Sequence, residues 1–178
     1  MTDTIKMEVR GLEEIAALFE AAPEIVLDEM TAATVEASLL LEREIKELTP
    51  VGATGALRQS IAARLPRMQG SALVGSVGSS LAHALPVELG TRPHFPPIEP
   101  IIDWLHSAPQ GQALMQRVHA DDSEALYYEV ALGIARKIAA RGTLGVGMFH
   151  RAFAIHQDQV QEIFRRANER VVERMGSA

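Results

Sequence analysis

Glu88 and His94 stand six residues apart in VELGTRPH. A carboxylate and an imidazole on one loop can work as a general acid–base pair if the chain folds them within hydrogen-bond reach of each other or of a substrate. The same carboxylate, placed just before Gly-Thr, can instead accept backbone amide hydrogen bonds and hold a turn, with Arg92 near enough to pair with it. The structural reading is the stronger one, because nothing nearby supplies a nucleophile. Ser60, Ser76, Ser79 and Ser80 lie outside any G-x-S-x-G elbow. GSVGSS lacks the G-K-[ST] ending of a phosphate loop.

Metal chemistry finds no better support. His150 and His156, six positions apart on a helix, are rotated about 600° and so do not share a face. His94 and His106 are divided by a proline-rich bend. HExxH, an aspartate cluster and EF-hand spacing are all missing from the sequence, so neither a metal nor a cofactor is expected. Arg58 has two readings: a strand-surface charge, which base rates favour, or a bidentate contact bridging subunits. Trp104 reads as an anchor, since its ring buries a large area while its N–H finds an acceptor.

The elements that would place these residues follow from composition and period. The 178 residues suit one domain, read as an α+β core over 1–106, an insertion over 107–122 and C-terminal helices over 123–175. With 47% hydrophobic but only 4% aromatic residues, the core should be built from Ala, Leu, Ile and Val. A net charge of −6 argues against a counterion-displacing nucleic-acid binder. Without cysteine there is no disulfide framework. Neither a membrane span nor a signal-peptide pattern is legible.

TIKMEVR (4–10) alternates as a strand. Leu12, Ile15, Leu18 and Phe19 form a helical stripe. Pro23 is expected to start a second, long helix ending at about Leu48, before Thr49-Pro50. Residues 55–79 read as a hairpin turning at MQGS, with a bulge near Ser60 and a close backbone approach at the strand glycines. PIIDWLH is a short helix and SAPQGQ a breaker. Asp121 with Glu124 marks the start of a helix ending at Gly142. The last amphipathic helix, about 149–175, carries a stripe of Phe149, Phe153, Val160, Ile163, Phe164, Ala167 and Val171. The expected fold is α+β: a small antiparallel sheet packed against a long N-terminal helix, with two C-terminal helices.

Three segments carry a family resemblance. TPVGATGALRQSI (49–61), VGS with HALPVELGTRPHFPP (74–76 and 83–97) and ARKIAARGTLGVGMFHRAF (135–153) resemble, in order, the signatures of the tail-component family of lambdoid-type long-tailed phages. His83 stands where that family usually has an aromatic ring, and Ala53 where it usually has Asp.

The resemblance implies a virion structural protein of the neck, assembled in the host cytoplasm, rather than an enzyme. Its role would be tail completion or head-to-tail joining. Implied partners are copies of itself in a ring, often hexameric, a head-side adaptor or stopper, and a tail terminator or tail-tube protein. Genomic DNA would pass through the lumen without sequence-specific binding, and no membrane is involved. A tail-terminator or head-closure subunit is the nearest alternative, and a small hydrolase or nuclease using Glu88 and His94 the remote one. Residues 87–106 then read as a rigid elbow: Gly90 and Thr91 make the tight turn, Pro93, Pro96, Pro97 and Pro100 stiffen the path, and Trp104 pins it to the core. Gly55 serves the preceding loop. Arg58, Glu88, Arg92, His94 and Phe95 are the expected contacts to a neighbour.

Overall fold

The computed structural model describes residues 12–118 and 123–177. The expected strand over 4–10 and the helix-start residue Asp121 lie outside them. The first element is one helix, α1 (Leu12–Leu48), with Pro23 inside it rather than at the head of a second helix. An interior proline removes one amide donor and crowds the preceding turn. The residues after it bury a continuous stripe (Ile25, Ala33, Ala37, Ile45), and that packing outweighs the local cost.

The short helix α2 (Ala56–Ser60) follows, where the mixed pattern of Leu57 and Ser60 suggested a loop entering a strand. Then come β1 (Ile61–Gln69) and β2 (Ala72–Ser79), an antiparallel pair running from Ile61↔Ser79 to Gln69↔Ala72. The turn holds Gly70 at φ 62°, as the MQGS reading expects. The bulge, however, falls between Arg64 and Arg67 instead of near Ser60. Pro66 lies inside it. Proline cannot donate to a ladder, so the irregularity settles where the donor is missing.

Next are α3 (Ala84–Leu89), β3 (Gly90–Thr91), α4 (Glu99–Ser107), α5 (Pro109–Val118) and α6 (Glu124–Arg141). The chain ends with β4 (Thr143–Leu144), paired to β3, and α7 (Met148–Ser177). The 107–112 breaker narrows to the link between Ser107 and Pro109, because proline tolerates the first helical turn.

The fold is α+β, with α1 as its spine. Two rows of small residues along α1 serve two layers. Ala33 and Ala37 pack with Ile163 and Ala167 of α7. Thr34 and Ser38 face the hairpin at Gly75, where a Cβ would sit 2.5 Å from Thr34 Cγ2. This is the close approach expected of a strand glycine.

Helices α1 and α7 run antiparallel: Ile45 meets Met148 and Ala152, whereas Glu29 meets Arg170 (2.7 Å) and Arg174 (3.0 Å). Glu36–Arg166 (2.9 Å) and Glu44–His156 (3.1 Å) extend the seam. Phe153 is exposed and Ala152 takes the buried place assigned to it, since close helix packing on an alanine row leaves no room for a ring. A separate cluster of Leu105, Met115 and Ala131 joins α4, α5 and α6.

Candidate functional site

Residues 87–91 and 142–147 meet backbone to backbone. Val146 N–H donates to the Val87 carbonyl at 2.8 Å, and Gly147 N–H donates to that of Glu88 at 3.0 Å. Gly90 pairs with Leu144, and Thr91 with Thr143. The two threonine hydroxyls lie 3.0 Å apart, and each accepts the other residue's backbone amide, at 3.1 and 3.2 Å. The approach is close enough to require glycine. A Cβ on Gly90, at φ 82°, would lie 2.3 Å from the Thr143 carbonyl oxygen. One on Gly142, at φ 68°, would lie 2.0 Å from that of Thr91. Real Cβ atoms do not occupy such positions, and positive φ strains any side chain there.

This crossing places Glu88 at the start of α7. Its two carboxylate oxygens accept the amides of Phe149 (3.0 Å) and His150 (3.1 Å). The first amides of a helix lack intrahelical partners and carry partial positive charge, so an anion held there stabilises the helix. Glu88 therefore does accept backbone amides, but from a helix some sixty residues further on, not from its own Gly-Thr turn. Among the described residues Arg92 forms no ion pair with it.

The acid–base geometry does not form. His94 is exposed and its Nδ1 lies 2.9 Å from the Arg92 carbonyl oxygen. No hydrogen bond joins it to Glu88 among the described residues. A hollow of about 410 Å³ beside Glu88 is lined by Ser79, Ser80, Leu85 and Phe149 among others, with no histidine in its wall. Ser79 is engaged elsewhere, 2.6 Å from Ser60 Oγ and accepting the Leu81 amide at 3.0 Å. Among the described residues no group of three or more His, Asp or Glu lies together, and no helix is long and apolar enough to cross a membrane.

The other singled-out residues divide by role. Arg58 lies on α2, not on a strand, and turns its guanidinium to the end of α1, 3.5 Å from the carbonyl oxygens of Glu47 and Thr49. A cation there complements the negative end of the helix dipole. Gly55 takes φ 66° just before α2. Arg92, Pro93, His94, Phe95 and Pro97 are exposed and Pro96 is half-buried. Trp104 packs within the α4–α5–α6 cluster, so it anchors that lobe instead of pinning the loop to the sheet. The single elbow expected over 87–106 is three things: a locked crossing, an exposed loop and the first helix of a lobe.

Sequence reasoning missed Glu42, whose carboxylate accepts the Ala63 amide at 2.7 Å and covers the free edge of β1. It also missed the exposed leucines Leu85, Leu89 and Leu144 around the crossing. The meeting itself left a trace in the sequence: Gly-Thr occurs at both 90–91 and 142–143.

Residues 13–90 match the family model described as "Bacteriophage HK97-gp10, putative tail-component". The match takes in α1, the hairpin and α3 up to the first glycine of the crossing; the 142–147 half lies beyond it. Comparisons with curated proteins and with solved structures each found no match.

Proposed function

From the phage tail-component match over residues 13–90, we propose that this chain is a non-enzymatic subunit of a long-tailed phage neck. It completes the tail or joins head to tail, and it assembles as a ring with a head-side adaptor or stopper on one side and a tail terminator or tube protein on the other. DNA passes through the lumen, and residues 107–122 are an insertion carried outside the core.

One observation supports this reading above the others. Glu88, the carboxylate best placed for chemistry, has both oxygens committed to the first amides of α7. The motif residues are spent on holding two distant segments together, while the loop that follows exposes Arg92, His94 and Phe95 for contact with a neighbour. A structural subunit needs a fixed frame with an outward edge, and the preset φ of prolines lowers the entropy lost when that edge docks.

Electron microscopy of particles assembled without this chain tests the proposal. Filled heads and separate tails, joined on adding the purified protein, are the expected result. Normally joined particles in its absence contradict it.

A further inference from the structure

The ring reading calls for two different surfaces on each copy, because a head-to-tail contact repeats one patch against another. Two apolar surfaces answer that need, at opposite ends of α1. The first is a ledge at the crossing. Leu85 and Leu89 share one face of α3, four residues apart, and are 62% and 71% exposed. Leu144, 96% exposed, stands beside them through its pairing with Gly90. The approach of the backbones there is tight: a Cβ on Gly145 would lie 2.6 Å from the Leu89 carbonyl carbon.

The second surface is a groove of about 510 Å³ between the early turns of α1 and the hairpin tip, walled by Val26, Leu27, Met30, Met68 and Leu73. The ledge lies at the Ile45 end of α1, where Met148 packs. Nineteen residues separate Val26 from Ile45, or about 28 Å of helix. One copy therefore cannot seat its own ledge in its own groove.

The charges around the two surfaces match. Arg92 and Arg141 flank the crossing, are exposed and make no ion pair among the described residues. Glu24 and Asp28 are exposed on α1 at the groove; Glu24 has no cationic partner among the described residues, and Asp28 only a distant one, Arg174 at 3.8 Å. Exposed leucines grouped in this way mark an interaction surface, and opposite rim charges would steer and orient the encounter.

We propose that the occupant of the groove is a second copy of this chain, which inserts Leu89 and Leu144 beside Leu27 with Arg92 and Arg141 over Glu24 and Asp28. This rests on the ring reading above and adds the two faces that make the ring contact.

The absence of cysteine gives a clean test. The full-length double variant Leu27→Cys/Leu144→Cys is oxidised and run on a non-reducing gel beside the two single variants. Both positions are exposed, so the fold should survive, and circular dichroism checks this. The double variant should give a ladder of dimer, trimer and higher species, and each single variant at most a dimer. If the ladder is missing while the unmodified chain has a multi-copy mass, the contact is overturned and the ring reading stands. A groove filled by residues 1–11 of the same chain, or by a different virion protein, gives that result. If the unmodified chain is a monomer at every concentration, ring and contact fall together.

Discussion

The crossing of residues 87–91 with 142–147 and the lobe of α4, α5 and α6 are both joined across many residues of sequence, yet by different means. In the crossing, backbone meets backbone, with Thr91 and Thr143 exchanging amide and hydroxyl bonds and glycine at each closest approach. In the lobe, side chains do the joining: Leu105, Met115 and Ala131 are buried, Trp104 packs against them, and His106 stacks on Tyr127 at 3.9 Å. A side-chain cluster can repack around a loss. A backbone contact already too close for a methyl group has nothing to give. The crossing should therefore fail abruptly on substitution and the lobe gradually.

The largest effect is expected at Gly90→Val. A strained positive φ and a Cβ 2.3 Å from a carbonyl oxygen should together cost about 4 kcal/mol or more. Thermal unfolding should show a Tm lowered by about 10 °C, with loss of joined particles. A wild-type Tm and particle yield would remove the crossing from its central place. Next comes Trp104→Ala, at about 2 kcal/mol for a half-buried ring. Hydrogen exchange should quicken over 99–141 and leave α1 and α7 protected. Uniform loss of protection would mean that lobe and spine are one cooperative unit.

The contrast also explains what could be read from the sequence. The long first helix, the hairpin with its Gly70 turn, and α6 and α7 follow from period and punctuation, which are local signals. Alanine's dominance of the core was legible from composition: Ala33, Ala37, Ala131, Ala135, Ala152 and Ala167 are all buried. Pro23 misled because its place inside α1 depends on packing by residues further along. Phe153 misled because hydrophobicity does not reveal how closely two helices approach. For Glu88 the chemistry was legible, a carboxylate accepting amides, but not which amides. Their source is a helix brought in by tertiary structure, and only the repeated Gly-Thr hinted at the meeting.

Glu88→Gln sharpens the comparison from within the crossing. It keeps the shape and removes the charge, so the helix-start contribution should fall by about 1 kcal/mol, a Tm loss of roughly 3 °C. A loss as large as that of Gly90→Val would show that charge, not close approach, holds the crossing.

The smallest effect concerns the α1–α7 seam. Hydrogen bonds from Arg170 and then Arg174 hold the Glu29 carboxyl below its ordinary 4.5. A carboxyl whose folded pKa is depressed contributes fully above its unfolded value and loses that contribution as pH falls through the folded one. The Tm should be insensitive to Glu29 near neutrality and decline below about pH 4.5, and Glu29→Gln should flatten part of that decline. An identical acid profile in the variant would remove Glu29 from the account.

The central claim is that this chain works by shape in many copies, and the mass of the purified protein in solution tests it most directly. Native mass spectrometry should find one closed species at an integer multiple of 19.3 kDa, well above a dimer. A persistent single-chain mass across concentrations, together with a hydrolytic activity abolished by Glu88→Gln, would contradict it.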